Sequence, residues 1–322
     1  MAIFFSETAF NINDLDFYAP FHTTHTSSVV PGGSFPLTLP DLTVLGTTFS
    51  LPGHVISFDT AIRTTWGASN IEIVAGNNLT FDLDANVTGG TATFLASSSG
   101  GLLNYGATGF SMNIMDLVAA GNTASNSDDI ALFRQIYAGN DLITLSALND
   151  AFDAGSGDDL VVDQGGNDKI AGGDGNDVIM AAAGNDRVDG GNGADILIGA
   201  GGDDVLKGAQ GQDFLWAGRG TDIETGGTGR DVFLFKSGDG KATITDFNAA
   251  DDQLVFMGAA SGIADLHFAQ VGANTRVTFG DIVIILLNVD LNAVSAADVE
   301  AGGVKMLAAA AHGILDGWDY IG

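Results

Sequence analysis

Residues 172–180 read GGDGNDVIM, and this nine-residue phrase decides the fold of the central third of the chain. An aspartate stands at its sixth position, and aspartates recur at the same spacing of nine residues through eleven consecutive units. A strict phase of this kind does not arise from composition alone, so it outranks other sequence signals. The periodic aspartates are Asp141, Asp150, Asp159, Asp168, Asp177, Asp186, Asp195, Asp204, Asp213, Asp222 and Asp231.

Each aspartate is flanked by glycine on one side and by an apolar residue on the other. Glycine stands two residues before the aspartate in every unit except one, which has Leu148. An apolar residue stands two residues after it in every unit except one, which has Glu224. Glycine permits the positive φ angles of a tight turn, and the apolar residue forms the buried centre of a very short strand. The unit is therefore G-G-x-G-x-D-x-hydrophobic-x, a turn followed by a strand.

Stacking of such units predicts an all-β solenoid that binds calcium. Two units form one coil, and stacked coils place the apolar residues in a core between two parallel sheets. Carboxylates and turn carbonyls then converge where turns stack, which gives the oxygen ligands that Ca²⁺ prefers. Residues 137–234 contain no cysteine or histidine, which argues against zinc or copper. An alternative, in which the aspartates only form turns of a solvated loop, does not account for the phase.

The repeats resemble those of the repeats-in-toxin (RTX) family, which fold as a calcium-bound parallel β-roll. The resemblance implies that each calcium lies between turn n and turn n+2. The earlier turn gives the carbonyls of its second and fourth residues and its aspartate, and the later turn gives the carbonyls of its first and third residues and its aspartate. Two successive sites would use Gly155, Gly157, Asp159, Gly172, Asp174 and Asp177, and then Gly173, Gly175, Asp177, Gly190, Asn192 and Asp195.

The same resemblance implies about seven calcium sites over residues 154–234. The two leading units have Tyr137, Ser146 and Leu148 in place of glycine, and they are interpreted as a capping coil. Whether Asp141 and Asp150 hold metal stays open. The remaining candidate ligands are the other periodic aspartates together with Gly166, Gly184, Gly191, Gly193, Gly199, Gly202, Gly208, Gly211, Gly218, Gly220 and Gly226.

Charge predicts where the protein folds. The chain of 322 residues has a net charge of −29, which excludes nucleic acid as a partner because phosphate backbones require a basic surface. Stacked aspartates repel each other without metal, so the free energy of metal binding is also folding free energy. Extracellular modules bind Ca²⁺ with dissociation constants of about 10⁻⁴ to 10⁻³ M. We therefore expect the repeats to fold outside the cell and to stay unfolded in the cytosol.

The sequence also predicts the route of export and excludes disulfides. The chain has no cysteine, the first residues lack the basic and apolar regions of a signal peptide, and no apolar run is long enough to span a membrane. The RTX resemblance implies type I secretion through an uncleaved C-terminal signal. Residues 301–322 are the candidate for that signal.

Four segments are predicted along the chain. Residues 1–135 form a β-rich domain with short capping helices at 112–120 and 128–137, and one strand in this domain is predicted at 81–87. Residues 136–235 form the roll. Residues 236–300 form a C-terminal β cap, with structure at 241–256, strands at 276–279 and 282–287, and a helical turn at 294–299. Residues 301–322 are the tail.

No catalytic residue is predicted, since neither the H-E-x-x-H motif of zinc proteases nor the G-x-S-x-G motif of hydrolases is present. The spacing of His22 and His25 and the acidic group Asp82, Asp84 and Asn86 are better explained by strands. The predicted function is a secreted calcium-binding protein without enzymatic activity, which builds or attaches to a cell surface or matrix. Copies of itself and surface glycans are the candidate partners. The alternatives are a polysaccharide hydrolase or lyase exported by its roll, and an adhesin.

Overall fold

The computed structural model describes the backbone of eight strands within residues 3–113, together with residues 134, 136–257, 265–295 and 298–301. The chain divides into two compact units, Met1–Ser146 and Ala147–Ile321. The predicted domain boundaries at 135, 235 and 300 stay a prediction. Within the described residues, no helix is both long and apolar enough to cross a membrane.

The first unit contains an antiparallel sheet. Its strands pair in the order β2, β5, β6, β7, β8, β1, and β9 pairs parallel to β1, while β3 and β4 form a separate hairpin. The strands are β1 Ile3–Phe5, β2 His25–Leu37, β3 Leu42–Val44, β4 Thr47–Phe49, β5 His54–Trp66, β6 Asn70–Phe81, β7 Val87–Ser99, β8 Leu102–Asn113 and β9 Leu142–Thr144. The β-rich character expected of this region is present in these residues.

Three local predictions fall on partly described segments of this unit. The predicted helix at 112–120 is wrong at its start, because Met112 and Asn113 belong to β8 and pair with β7. The rest of that segment lies outside the described residues. Arg134 and Ile136 are helical, as expected for the end of the second predicted helix. Only the two ends of the strand predicted at 81–87 are described. Phe81 ends β6 and Val87 begins β7, and residues 82–86 lie outside the described part.

The second unit begins with a parallel roll. Alternate strands pair in parallel, β10–β12–β14–β16 in one sheet and β11–β13–β15 in the other, and the long β17 pairs with β15 and then with β16. Each residue lies beside the residue two repeats later, as Val161 lies beside Ile179. The strands are β10 Ala151–Ser156, β11 Leu160–Val162, β12 Lys169–Asp174, β13 Val178–Met180, β14 Arg187–Asn192, β15 Ile196–Gly201, β16 Val205–Gln210 and β17 Phe214–Thr228. The predicted all-β solenoid is confirmed.

The core of the roll is the apolar position of each repeat. These side chains are almost completely buried between the two sheets, and burying each one stabilises the fold by about 1.5–3 kcal/mol. In the sheet formed by β11, β13 and β15, the residue directly before the periodic apolar residue is also buried, for example Leu160 and Ile196. The buried residues at the periodic position are Phe152, Val161, Ile170, Ile179, Val188, Leu197, Leu206, Leu215 and Phe233.

The roll is closed by a segment with a longer period. Gly220 pairs with Gly240 and Val232 with Gln253, so the regular step of 18 residues lengthens to 20 and then 21. A meander of β21, β22 and β23 extends one sheet, and β24 extends the other. The strands are β18 Val232–Lys236, β19 Gly240–Ile244, β20 Gln253–Met257, β21 His267–Val271, β22 Asn274–Phe279, β23 Ile282–Leu286 and β24 Val299–Ala301.

The closing segment contains the predicted strands and one 3₁₀ helix that the sequence did not predict. Strands are present in 241–256, 276–279 and 282–287, as expected, and Phe256 packs against Phe235 and Phe279 in their core. The helical turn predicted at 294–299 is present in part: Asp298 has 3₁₀ conformation and its amide donates to the carbonyl of Ser295 at 3.2 Å, while residues 296–297 lie outside the described residues and Val299 begins β24. A 3₁₀ helix at Leu291–Ala293 precedes it, because the Asp290 side chain accepts a hydrogen bond from the Asn292 amide and starts a turn there.

Candidate metal centre

The turns of the roll stack so closely that they require glycine. Gly173 and Gly175 have φ angles of 112° and 132°, and a Cβ on them would overlap the carbonyl oxygens of Gly155 and Gly157 in the preceding coil. Side chains rarely adopt such angles, so both conformation and space select glycine. The repeating glycines thereby bring the backbone carbonyls of successive coils together.

The periodic aspartates form two buried rows, one on each edge of the roll. The Oδ1 atom of Asp177 accepts a hydrogen bond from the amide of Asp159, at 2.8 Å, and this contact repeats at every step of 18 residues. Each carboxylate is thus fixed by the backbone of the preceding coil. The rows are Asp159, Asp177, Asp195, Asp213 and Asp231, and Asp150, Asp168, Asp186, Asp204 and Asp222.

The second oxygen of most of these carboxylates is different. It is buried and accepts no hydrogen bond from any residue that the structure describes. An ionised carboxylate in this situation costs several kcal/mol unless a cation compensates it. The Oδ2 atoms concerned are those of Asp168, Asp177, Asp186, Asp195, Asp204, Asp213 and Asp231.

Burial also changes the acidity of these groups. Burial is the main cause that raises the pKa of Asp177, Asp195 and Asp213 to about 7, and neighbouring carboxylates add to it. The same cause raises the pKa of Asp204 and Asp231 to about 6. A hydrogen bond from the backbone opposes the shift in each case without cancelling it. The fold therefore holds negative charge that a bound cation would stabilise.

Carbonyl oxygens converge beside these free carboxylate oxygens. A Cβ on Gly172 would overlap Asp177 Oδ2 and would lie 2.7 Å from the carbonyl oxygen of Gly190. Gly199 and Gly208 stand in the same position of later units, where a Cβ would also meet a carboxylate oxygen and a carbonyl oxygen of the following coil. The glycine at position 1 therefore leaves open a cradle lined by oxygen.

This arrangement brings together residues that the RTX resemblance grouped into one site. Asp177 and Gly190 share the cradle beside Gly172. The carbonyls of Asp174 and Asn192 each accept one amide hydrogen bond, from Gly157 and Gly175, at 2.7 Å. A carbonyl oxygen has a second lone pair, which these bonds leave available. Buried carboxylates and carbonyls with no nitrogen or sulfur are the donor set of a hard cation, so the residues present fit Ca²⁺.

The leading aspartates, Asp141 and Asp150, are also buried, with 1% and 3% of their surface exposed. Asp150 belongs to one of the two rows, because its amide donates to Asp168 Oδ1 at 2.6 Å. The full ligand sets that the sequence suggested stay a prediction.

Sequence analysis missed two aspartates that continue the pattern beyond the repeats. Asp252 takes the place of the next aspartate in one row: its Oδ1 accepts the amide of Asp231 at 3.0 Å and its Oδ2 accepts the amide of Asn248 at 2.8 Å. Asp246 accepts the amides of Gly226 and Gly227. A search at a spacing of nine does not find Asp252, because it lies 21 residues after Asp231.

Glu224 occupies the core position of its repeat and is fully buried. Its Oε1 accepts the amide of Ala217 at 3.3 Å, and its Oε2 has no hydrogen-bond partner among the described residues. Burial raises its pKa well above the usual value, and the charge of Asp222 raises it further. The sequence marks this residue only as a break in the apolar pattern.

The other metal-ligand candidates weighed from the sequence fall outside the side chains that the structure describes. His22, Asp82, Asp84 and Asn86 lie outside the described residues, and only the backbone of His25 is described, in β2.

The parallel coils and their buried carboxylates define a calcium-binding β-roll, and comparison with protein families identifies it. Residues 137–233 match the model of the RTX calcium-binding nonapeptide repeat, in the overlapping stretches 137–161, 153–188, 163–197, 189–224 and 198–233. The RTX recognition made from the sequence is confirmed: residues 137–233 are RTX calcium-binding nonapeptide repeats.

Two further comparisons were made. A search of curated proteins returned no match. Among solved structures, the chain is similar to the extracellular lipase LipA from Serratia marcescens, with 24% identity and a TM-score of 0.29 over 50% of this chain and 38% of that chain. The present chain therefore spans well under half of that lipase, and a similarity this low carries no argument about activity.

Proposed function

We propose that the protein is secreted and that its roll folds when it meets extracellular calcium. The observation that carries this proposal is the row of buried Oδ2 atoms without a hydrogen-bond partner among the described residues, at Asp168, Asp177, Asp186, Asp195, Asp204, Asp213 and Asp231. In the cytosol, where calcium is scarce, these carboxylates repel each other inside a glycine-rich chain that is costly to order. Outside the cell, calcium supplies positive charge between coils.

Three kinds of residue contribute to this folding step: the periodic aspartates, the turn glycines and the buried apolar residues. Each Oδ1 orients its carboxylate through the amide of the preceding coil, as Asp195 does through Asp177. The glycines of the turns let the coils approach, and apolar residues such as Leu197 exclude water from the other side. A cation held between two coils would join them, so folding in calcium should be cooperative along the roll.

Circular dichroism of the full-length protein tests this proposal. We expect strong β signal in millimolar calcium, loss of most of the signal from the roll after EGTA, and recovery when calcium is restored. Magnesium at equal concentration is the control, because it demands an octahedral site of shorter distances and should not substitute. A spectrum that EGTA leaves unchanged would contradict the proposal.

We further propose the organisation and route of export that the RTX family implies. The roll of residues 136–235, closed by the cap of 236–300, would be the calcium-dependent part, and residues 301–322 would carry the type I secretion signal. Fusion of residues 236–322 to a reporter in a strain with and without a type I exporter tests the route. Export that is independent of the exporter would rule it out.

For the role outside the cell we propose a structural one, as a self-assembling component of a cell surface or matrix. Support comes from the exposed acids beside the buried rows, among them Asp174 and Asp203, and from the net charge of −29. A large net charge keeps copies apart, and divalent cations shared between acids of neighbouring copies would offset that repulsion in calcium. Light scattering and electron microscopy should show assemblies in calcium that EGTA disperses; a monodisperse monomer in millimolar calcium would refute the assembly.

A further inference from the structure

One repeat carries a carboxylate where the other well-formed repeats carry glycine or alanine. The unit of residues 163–171 begins with Asp163. The corresponding first residues of the other units from residue 154 onward are Ala154, Gly172, Ala181, Gly190, Gly199, Gly208, Ala217 and Gly226. Asp163 is therefore the exception at this position.

The first position of a unit faces the cation cradle. A Cβ added to Gly172 or Gly190 would overlap the Oδ2 atom of the aspartate in the same unit, Asp177 or Asp195. Any side chain at this position therefore grows toward the oxygen that carries no hydrogen bond. In the unit of residues 163–171 that side chain is itself acidic.

The structure shows where this extra carboxylate goes. Asp150, Asp163 and Asp168 each offer one oxygen, and the three oxygens lie within 4.8 Å of one another. All three residues are buried, with 3%, 5% and 3% of their surface exposed. Oxygens that share one coordination shell of Ca²⁺, at 2.3–2.6 Å from the ion, lie at most about 5 Å apart. The three carboxylates therefore have the spacing of ligands to a single ion.

Hydrogen bonds fix two of the carboxylates and leave an oxygen of each facing the group. Asp168 Oδ1 accepts the amide of Asp150 at 2.6 Å, and Asp163 Oδ2 accepts the amide of Gly165 at 2.5 Å. Asp163 Oδ1 and Asp168 Oδ2 are buried without a hydrogen-bond partner among the described residues. Burial, followed by the charge of Asp168, raises the pKa of Asp163 to about 8. The fold thus holds this carboxylate in an environment that a cation would favour.

The extra carboxylate stands beside a repeat that has lost its glycines. In the preceding unit of the same row, Ser146 and Leu148 replace the glycines at positions 2 and 4. Regular sites would use the carbonyls of those two positions, which have positive φ in Gly155 and Gly157, whereas Ser146 and Leu148 lack positive φ and therefore direct their carbonyls differently. A third carboxylate supplies oxygen and negative charge by another route.

We propose that Asp150, Asp163 and Asp168 together hold a divalent cation, with calcium as the expected ion, in an irregular site at the start of the roll. The proposal rests on calcium binding by the roll and adds a ligand that the repeat does not specify. Three carboxylates carry more negative charge than the two of a regular site. Because ligand charge sets calcium affinity, this site should fill before the regular ones, and it should favour trivalent Tb³⁺ even more strongly.

The experiment compares three variants of the full-length protein. Asp163→Ala installs the residue found at this position in three other units, so it is compatible with the fold, and Asp163→Asn keeps the size of the side chain. Asp281→Asn, at an exposed acid of the cap, is the matched control. Calcium binding is measured by calorimetry in competition with a chelator, and crystals grown with limiting Tb³⁺ are measured by anomalous diffraction.

We expect the tightest class of site to weaken by about tenfold or more in both Asp163 variants and to stay unchanged in the control. The strongest Tb³⁺ peak should lie among Asp150, Asp163 and Asp168 in the wild-type crystals. Equal affinity in all proteins, or density without an ion between these carboxylates, would overturn the proposal and indicate that Asp163 and Asp168 share a proton. If EGTA still unfolds the wild-type roll, only the irregular site fails; if it does not, the folding proposal fails as well.

Discussion

The regular coils of residues 172–216 and the segment of residues 236–257 that closes the roll extend the same two sheets, but their aspartates make different hydrogen bonds. In the regular coils, one oxygen of each periodic aspartate accepts a backbone amide and the other accepts none from the described residues. In the closing segment, both oxygens of Asp246 and of Asp252 accept amides. The register changes between the two regions, from 18 residues to 20 and 21.

This difference shows what the nine-residue period provides. Identical turns in identical register repeat the same half-satisfied carboxylate, so they produce a column of cation sites. Where the register lengthens, the extra residues include the amide of Asn248. Both oxygens of Asp252 therefore accept hydrogen bonds from backbone amides. Dependence on calcium should therefore be a property of the regular coils and should end after Asp231, the last periodic aspartate whose Oδ2 is buried without a partner among the described residues.

The broadest test of this comparison is pH, because it acts on all regular coils together. The fold without bound ions raises the pKa of Asp177, Asp195 and Asp213 to about 7, whereas an unfolded aspartate titrates at about 3.9. Between these values the folded state binds more protons, so stability without calcium falls as pH rises from about 4 to 7. Calcium must displace the same protons, so its affinity falls on acidification.

We therefore expect EGTA-treated protein to keep more β structure at pH 5 than at pH 8, by circular dichroism. Calorimetry should show calcium affinity decreasing by about tenfold per pH unit for each proton displaced below pH 6. Calcium binding that is equally tight at both pH values would contradict the assignment of these aspartates.

Glycine substitutions should separate the two regions by the space around the backbone. A Cβ on Gly175 would overlap the carbonyl oxygen of Gly157, while one on Gly238, also at positive φ, meets nothing within 4 Å. We expect Gly175→Ala to prevent folding of the roll even in calcium, because backbone must move in two coils. Gly238→Ala should cost only about 1–2 kcal/mol, from backbone strain alone. Urea unfolding in calcium measures both, and similar losses would show that stacking does not select the glycine.

Replacement of a single acid should test whether calcium is the partner. Asp195→Asn removes a charge but keeps an oxygen for the Asp177 amide, so we expect a loss of about 3 kcal/mol that appears only in calcium. Asp252→Asn places a side-chain NH₂ group opposite the backbone amide of Asn248, which then loses its acceptor. We expect the free energy of unfolding to fall by about 1–3 kcal/mol with or without calcium. Urea titrations at several calcium concentrations distinguish the two. Parallel calcium dependence in both variants would erase the proposed boundary.

The smallest expected effect concerns Glu224, which brings a carboxyl group into the apolar core. It lies directly beside Leu206 in the neighbouring strand. Glu224→Leu should stabilise the calcium-bound protein by about 1–3 kcal/mol, since it removes a buried oxygen with no partner among the described residues. The reciprocal change, Leu206→Gln, is the control and should destabilise. Thermal unfolding in calcium measures both, and a destabilised Glu224→Leu would show that the carboxyl group has a bonding role.

The repeat explains which features could be predicted. Its phase specifies the register, the core and the position of the aspartates together. The roll and its acids can therefore be predicted from eleven units in phase, although a single unit would be a weak signal. Asp252 and the lengthened register could not be predicted in this way, because they occur once and obey no period. Asp163 was hidden for a related reason: it breaks the glycine pattern without disturbing the aspartate phase. The 3₁₀ helix at Leu291–Ala293 was not predicted, because its capping aspartate, Asp290, lies before the segment that the sequence marks as helical.

The amide ladder along each row has a direction. From Asp150 to Asp213, the amide of each periodic aspartate donates to the carboxylate 18 residues later, and the amide of Asp231 donates to Asp252. A coil therefore becomes complete only after a later part of the chain has arrived. A nascent chain that ended before residue 252 would leave the amide of Asp231 without its carboxylate acceptor. The segment that contains Asp252 therefore completes the hydrogen bonds of the coil before it.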